Sequence, residues 1–128
     1  MNEYAECQKC NARFVLNSNI VNYQKEFKVE DGQSIYLTYY DCPSCGRRHW
    51  VQIDDSESIR MLREHKKQFI RLSKQKKSGK MVSKKQSAKF AKNQEDLSDY
   101  RIELMKKFTG KRIVNIETGI HYTLEFSV

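Results

Sequence analysis

Apolar and polar positions alternate with a period of two in the first part of the chain, and this alternation predicts β-strands. Segment 34–41 is dense in β-branched and aromatic residues, and the pair Asp31-Gly32 before it is typical of a tight hairpin turn. We therefore expect segment 23–29 to pair with 34–41 as antiparallel strands. Segment 47–53 alternates in the same way and predicts a third strand.

The pattern changes to a helical period at Asp54. Its carboxylate can accept hydrogen bonds from the amides of a first helical turn, and Glu57 can reach back to it as the second half of a capping box. Apolar residues then recur every three or four positions, which predicts a helix over residues 56–76 with one apolar face. Gly79 ends this pattern within a lysine-rich stretch.

A second helix and a terminal hairpin follow. Ser83 and Gln86 form another capping box, and apolar residues repeat with helical spacing up to Gly110, a glycine suited to a helix C-terminus. Neither apolar helix face is stable in water, so we expect the two helices to pack antiparallel around a connection at 77–82. Segment 112–128 alternates again and predicts a β-hairpin with one buried face.

The composition limits the size, the location and the chemistry of the protein. A chain of 128 residues with 38% apolar residues suits one compact domain and leaves little room for a large buried catalytic cleft. No apolar run approaches the roughly 18 residues that span a bilayer, and the first residues lack the pattern of a signal peptide. We therefore expect a soluble protein of the cytoplasm, with neither a membrane nor a small-molecule substrate as its partner.

Four cysteines form two Cys-x-x-Cys pairs: Cys7 with Cys10, and Cys42 with Cys45. In a reducing compartment such pairs are poor candidates for disulfides and are typical metal ligands. Each pair makes a tight turn whose two sulfurs bind from one side, so two turns together enclose a metal ion in a tetrahedron of thiolates. Such a site has no open coordination position, and we predict a structural Zn²⁺. Chance pairing and a redox dithiol are the alternatives.

The turn residues support this prediction. Pro43 fixes the backbone of the second turn, and Gly46 allows its amides to fold toward sulfur. In the first turn Asn11 stands where a glycine is usual, and asparagine also tolerates a positive φ.

Residues 4–53 resemble zinc-ribbon and zinc-knuckle proteins in the two cysteine pairs and in the Pro-x-Cys-Gly turn. Rubredoxins, which hold iron in the same cage and carry electrons, are similar in these residues, but they are small and acidic, whereas this chain is basic and continues well beyond them. The resemblance implies a three-stranded antiparallel zinc ribbon over residues 1–54. Together with the helical and strand patterns, it predicts an α+β fold in which a long antiparallel helical hairpin and a C-terminal β-hairpin follow over 55–128. We expect this second hairpin to pack on the helices or to extend the ribbon sheet, so that the chain forms one compact unit.

Positive charge is concentrated in the predicted helical hairpin. The chain carries a formal charge of +8; residues 60–92 hold thirteen Lys or Arg against one acid, Glu64, so this segment carries +12 and the rest −4. Phosphate backbones and acidic protein surfaces are the natural partners of such a segment, and a solvated helix end is the structural alternative. The predicted binding surface consists of Arg60, Arg63, Lys66, Lys67, Arg71, Lys74, Lys76, Lys77, Lys80, Lys84, Lys85 and Lys89.

Aromatic residues offer a second candidate surface. These residues are Tyr36, Tyr39, Tyr40 and Trp50. They form a small core between the predicted strands, or they stack on unpaired bases beside Arg47 and Arg48. No Ser-His-Asp order, paired-carboxylate motif or Gly-rich phosphate loop occurs in the sequence, and we expect His49, His65 and His121 to be packing or surface residues. We therefore predict that the protein is not an enzyme.

The small size, the lysine-rich helices and the four-cysteine motif resemble accessory proteins of phages and prophages. Among these, anti-CRISPR proteins are the most specific hypothesis. That resemblance implies a non-enzymatic inhibitor of a type II RNA-guided DNA nuclease, which binds an acidic surface of the enzyme and interferes with DNA loading. The alternative is a direct nucleic-acid-binding module of the transcription or replication machinery, in which the basic residues contact the DNA or RNA phosphate backbone.

Overall fold

The computed structural model describes residues 3–126, in which five strands precede two helices and two strands follow them. The elements are β1 (Glu3–Glu6), β2 (Arg13–Leu16), β3 (Val21–Val29), β4 (Ser34–Asp41), β5 (Arg48–Asp54), α1 (Ser56–Lys77), α2 (Lys84–Phe108), β6 (Arg112–Asn115) and β7 (His121–Thr123).

The strands form two antiparallel sheets. β1 and β2 pair with each other alone, whereas the other five form a sheet in the order β5-β4-β3-β6-β7. β3 lies at its centre, because Phe27 pairs with Ile35 of β4 on one side and with Asn115 of β6 on the other. The predicted pairing of β3 with β4, and the third strand β5, are confirmed.

The predicted N-terminal three-stranded ribbon is wrong, whereas the C-terminal hairpin takes one of its two predicted placements, since it extends the sheet. The α+β class holds, but β3, β4 and β5 belong to a five-stranded sheet that the C-terminal strands complete. Once β3 has paired with β4, its second edge still presents backbone donors and acceptors beside the buried side chains of Phe27 and Val29. β6 satisfies those groups from more than eighty residues away, a contact that local pattern does not reveal.

One hydrophobic core joins the five-stranded sheet to the second helix. Its fully buried residues Phe27, Ile35 and Leu37 come from the sheet, and Leu104 and Phe108 come from the C-terminal half of α2. Between residues 59 and 96, by contrast, no side chain is buried. The helical hairpin is therefore anchored at its sheet end, and its far half is held by contacts between the two helices.

The first helix begins at Ser56 as predicted, but its cap lies one residue later than predicted. Asp55, and not Asp54, is the N-cap: its carboxylate accepts from the backbone N–H of Ser58 at 2.9 Å, and the Ser58 hydroxyl completes the capping box. Glu57, predicted to fill that role, pairs with Arg60 on the exposed face. Asp54 is buried instead.

The second helix begins as predicted. The hydroxyl of Ser83 accepts from the backbone N–H of Gln86 at 3.1 Å, and the Gln86 side chain accepts from the backbone N–H of Ser83 at 3.0 Å. Within residues 3–126, neither this helix nor α1 has an apolar stretch long enough to cross a membrane.

Candidate metal centre and basic helical face

Two turns bring the four cysteines together, one between β1 and β2 and the other between β4 and β5. In the first, the backbone N–H of Cys7 donates to the carbonyl of Ala12 at 2.9 Å, and the N–H of Asn11 donates to the carbonyl of Cys7 at 2.7 Å. Asn11 has a φ of 60°, as its position in the turn requires. The turn thus reverses the chain and directs two sulfurs to one side.

The second turn repeats this backbone design. The N–H of Cys42 donates to the carbonyl of Arg47 at 2.8 Å, and the N–H of Gly46 donates to the carbonyl of Cys42, also at 2.8 Å. Gly46, with a φ of 77°, takes the position that Asn11 has in the first turn. The first cysteine of each turn, Cys7 or Cys42, is buried, and the second is exposed.

The sulfur positions fit a tetrahedral metal site. Sγ of Cys7 lies 3.6 Å from Sγ of Cys45, and Sγ of Cys10 lies 3.6 Å from Sγ of Cys42. All four sulfurs lie within 4.8 Å of one another. With metal–sulfur bonds of about 2.3 Å, the edge of a regular tetrahedron is about 3.8 Å. The cluster can therefore hold one metal ion, and all four of its cysteines are free thiols.

Backbone hydrogen bonds within the turns favour the thiolate forms of Cys7 and Cys42. The backbone N–H of Cys10 lowers the pKa of the Cys7 thiol to about 5 against the opposing effect of burial. The backbone N–H of Cys45 lowers the pKa of Cys42 in the same way. The N–H of Ala12 lowers the pKa of Cys10, but desolvation of its sulfur within the cluster and the hydrogen bonds to the other three cysteines together raise that pKa to about 12. Four thiolates this close repel one another unless a cation lies among them.

The predicted basic residues are all exposed and lie on the helical hairpin. α1 meets α2 through one face, on which the His65 ring stacks on Phe90 at 4.4 Å and Gln68 accepts from the side-chain amide of Asn93 at 3.0 Å. At 100° per residue, the opposite face of α1 carries seven of the twelve. We call this the basic face; it consists of Arg60, Arg63, Lys66, Lys67, Arg71, Lys74 and Lys77.

The charge of the basic face is largely uncompensated. Among residues 3–126, only Arg60 and Lys67 of the twelve predicted residues form ion pairs, with Glu57 and Glu64 of the same helix. The other five predicted residues lie elsewhere on the hairpin: Lys76 on another face of α1, Lys80 in the connection, and Lys84, Lys85 and Lys89 in the first turns of α2.

The aromatic residues of the sheet surround an arginine. The guanidinium carbon of Arg48 lies 4.1 Å from the ring centre of Tyr39 and 4.7 Å from that of Tyr122, and Arg48 also pairs with Asp41. Tyr39 is buried, and Trp50 packs against the core. These rings therefore pack as part of the sheet, and the guanidinium of Arg48 already contacts two of them and Asp41. The sequence did not predict that Tyr122 lies beside Arg48, because the strand of Tyr122 is distant from β4 and β5 along the chain.

Two histidines also take packing roles. His49 stacks on Tyr40 at 4.9 Å between ring centres, beside the second cysteine turn, and His65 lies in the interface of the helices. His121 is exposed on β7.

Comparison of the chain with protein-family models, curated proteins and solved structures finds no match in any of the three. The four-cysteine cluster is consistent with a zinc-binding site, whereas the resemblance to phage accessory proteins and anti-CRISPR proteins gains no support from these comparisons.

Proposed function

We propose that the protein is a non-enzymatic nucleic-acid-binding module, in which a structural zinc ion joins the two cysteine turns and the basic face of α1 contacts phosphates. The zinc part is supported by the donor set. Four thiolates suit Zn²⁺ and iron, and a site closed by four protein ligands has no position for water or substrate. Its contribution is therefore to folding and not to a reaction.

The proposal that the protein binds nucleic acid rests on the spacing of charges along the basic face. Arg60 and Lys77 lie seventeen residues apart, which is about 26 Å along the helix axis at 1.5 Å per residue. One strand of a duplex presents a phosphate about every 3.4 Å along its axis, hence seven or eight over that length. The seven exposed cations of the basic face therefore carry about as much charge per unit length as that strand. Five of the seven have no acidic partner within residues 3–126.

A protein partner is the second candidate, and a different observation favours it. Ile70 and Met81 are 53% and 90% exposed among the basic residues, and aliphatic side chains gain little from phosphates. They suit the apolar centre of a protein interface with a charged rim. An inhibitor that covers an acidic surface of an RNA-guided nuclease is one specific form of this candidate.

Salt-dependent binding to labelled DNA tests the proposal. With six contacted phosphates, the logarithm of the association constant should fall with the logarithm of salt concentration with a slope of about −5 on duplex. The variant Lys66→Glu/Arg71→Glu/Lys74→Glu reverses three charges of the basic face and should weaken binding by more than about tenfold.

The matched control reverses three exposed lysines outside the hairpin, Lys25, Lys28 and Lys111, and changes the net charge equally. Its binding should remain close to that of the unmodified protein. An equal loss in both triple variants would show that net charge alone matters and would contradict a specific face. Absence of DNA binding, together with inhibition of a purified nuclease, would favour the second candidate.

A further inference from the structure

A cleft opens between the two helices near the far end of the hairpin. It has a volume of about 180 Å³, and its apolar walls come from Phe69 and Leu72 of α1, Phe90 of α2 and Val82 of the connection. Lys76 and Ser87 lie at the same cleft and supply an ammonium group and a hydroxyl. The cleft is thus lined mainly by apolar side chains, with a few polar groups among them.

The aromatic wall of the cleft is accessible on one side. The ring of Phe90 is covered by His65, whose ring centre lies 4.4 Å away, and Phe69 lies 6.3 Å from Phe90 at an angle of 37°. Phe69 itself is 59% exposed. A large aromatic side chain that projects into water beside a cleft is available for a flat partner.

We propose that this cleft takes an unpaired nucleobase, so that the protein prefers single-stranded nucleic acid to duplex; the inference rests on the proposed nucleic-acid function. A nucleobase has two apolar faces for the walls, a polar edge for the Ser87 hydroxyl, and a linked phosphate for Lys76. Base stacking on an aromatic side chain adds affinity without sequence selectivity. In a duplex the faces of each base are covered by its neighbours, so only an unpaired base can enter.

Charge complementarity favours this occupant. The segment 60–92 that forms the cleft carries a formal charge of +12. A second copy of the chain would bring the same charge to the contact and be repelled, whereas a nucleic-acid strand supplies one negative charge with every base.

The test compares three labelled probes of about 20 nucleotides: oligo(dT), an abasic strand with the same phosphates, and a duplex. Phe69→Leu removes the ring but keeps an apolar, helix-forming residue. It should weaken oligo(dT) binding roughly tenfold, the effect expected for one stacked base, and leave the other two affinities unchanged. Ile70→Ala is the matched control: Ile70 is 53% exposed next to Phe69, but it does not line the cleft. This variant should bind all three probes normally.

Two outcomes would overturn the inference. If Phe69→Leu leaves oligo(dT) binding unchanged, or weakens the abasic strand equally, the cleft does not hold a base, although salt-dependent binding to all three probes would still support the proposed function. A glutamate-rich peptide with one central leucine is the fourth probe. Phe69-dependent binding of this peptide, with Phe69-independent binding of oligo(dT), would assign the cleft to an acidic protein segment. Failure of every DNA probe would reject the proposed function as well.

Discussion

The guanidinium of Arg101 on α2 donates to the buried carboxylate of Asp54 at the end of β5, with Nε 2.9 Å from Oδ1. The same carboxylate accepts from the hydroxyl of Ser58 on α1 at 2.8 Å and from the side-chain amide of Gln52 at 3.0 Å. One fully buried charge thus gathers donors from β5, α1 and α2. Its network fixes where the helical hairpin leaves the sheet.

Removal of the arginine should be strongly destabilising. Arg101→Met leaves the carboxylate of Asp54 buried without its cation, and we expect the free energy of unfolding to fall by about 3–5 kcal/mol. Urea unfolding followed by circular dichroism measures this loss. A loss no larger than that of the exposed-pair variant Arg60→Met would contradict the prediction.

A double-mutant cycle separates the charge from the packing. Asp54→Asn in the Arg101→Met background removes the unpaired charge, so the double variant should be more stable than Arg101→Met alone. If the two single losses add, the residues do not interact in the way that the 2.9 Å contact indicates.

The free energy of unfolding should fall at alkaline pH, because Tyr100 loses its proton there. Its hydroxyl donates to the carboxylate of Asp55 at 2.6 Å, and this hydrogen bond, burial and the charge of Asp55 raise the pKa of Tyr100 to about 12. An unfolded tyrosine has a pKa near 10. Folding therefore favours the protonated form of Tyr100, and this preference stabilises the folded protein. The stabilisation is complete below pH 10 and is lost as the pH rises from about 10 to about 12.

Tyr100→Phe isolates this effect. The melting temperature of the unmodified protein should exceed that of the variant at neutral pH, and the difference should shrink as the pH rises from about 10 to about 12. A difference that stays constant over this range would show that the hydroxyl does not stabilise the fold through its proton.

Metal removal should unfold the cysteine turns. Each chain should contain one zinc ion, and a strong chelator should lower the melting temperature, because a site of this type contributes on the order of 10 kcal/mol of apparent binding free energy. Cys42→Ser should have the same effect. Ser44→Ala, in the same turn but without a ligand, is the control. Metal analysis by mass spectrometry and a melting curve suffice, and unchanged melting after chelation would contradict the prediction; visible absorption would reveal iron.

The two turns should respond oppositely to substitution at their equivalent positions. Gly46 has a φ of 77°, and no atom lies within 4 Å of the place where a Cβ would stand. Gly46→Ala should therefore cost about 1–2 kcal/mol through backbone strain and not through a clash. Asn11→Gly should keep or raise the stability, because Asn11 already has a φ of 60°. Equal losses from both substitutions, measured as metal-loaded melting temperatures, would contradict this equivalence.

Local features were predictable where all their groups lie within a few residues of one another. The turn after Cys42 and the capping box of Ser83 and Gln86 are such features, and both form as expected. The N-cap of α1 was predicted one residue too early, because Asp54 and Asp55 are adjacent carboxylates that are equally able to cap a helix. Arg101, forty-seven residues later, binds the first and leaves the second to the amides.

Long-range pairing is the part that the chain does not reveal locally. The cysteine spacing and the helical period indicated the four-cysteine cluster and the exposed basic residues of the hairpin, since turn geometry and helix repeat depend on neighbours within about five residues. The placement of β6 beside β3, the separation of β1 and β2 into their own sheet, and the joining of Tyr122 to Arg48 arose from folding in three dimensions. An open strand edge accepts any strand that covers it with the right face, and which one does so depends on how the whole core packs.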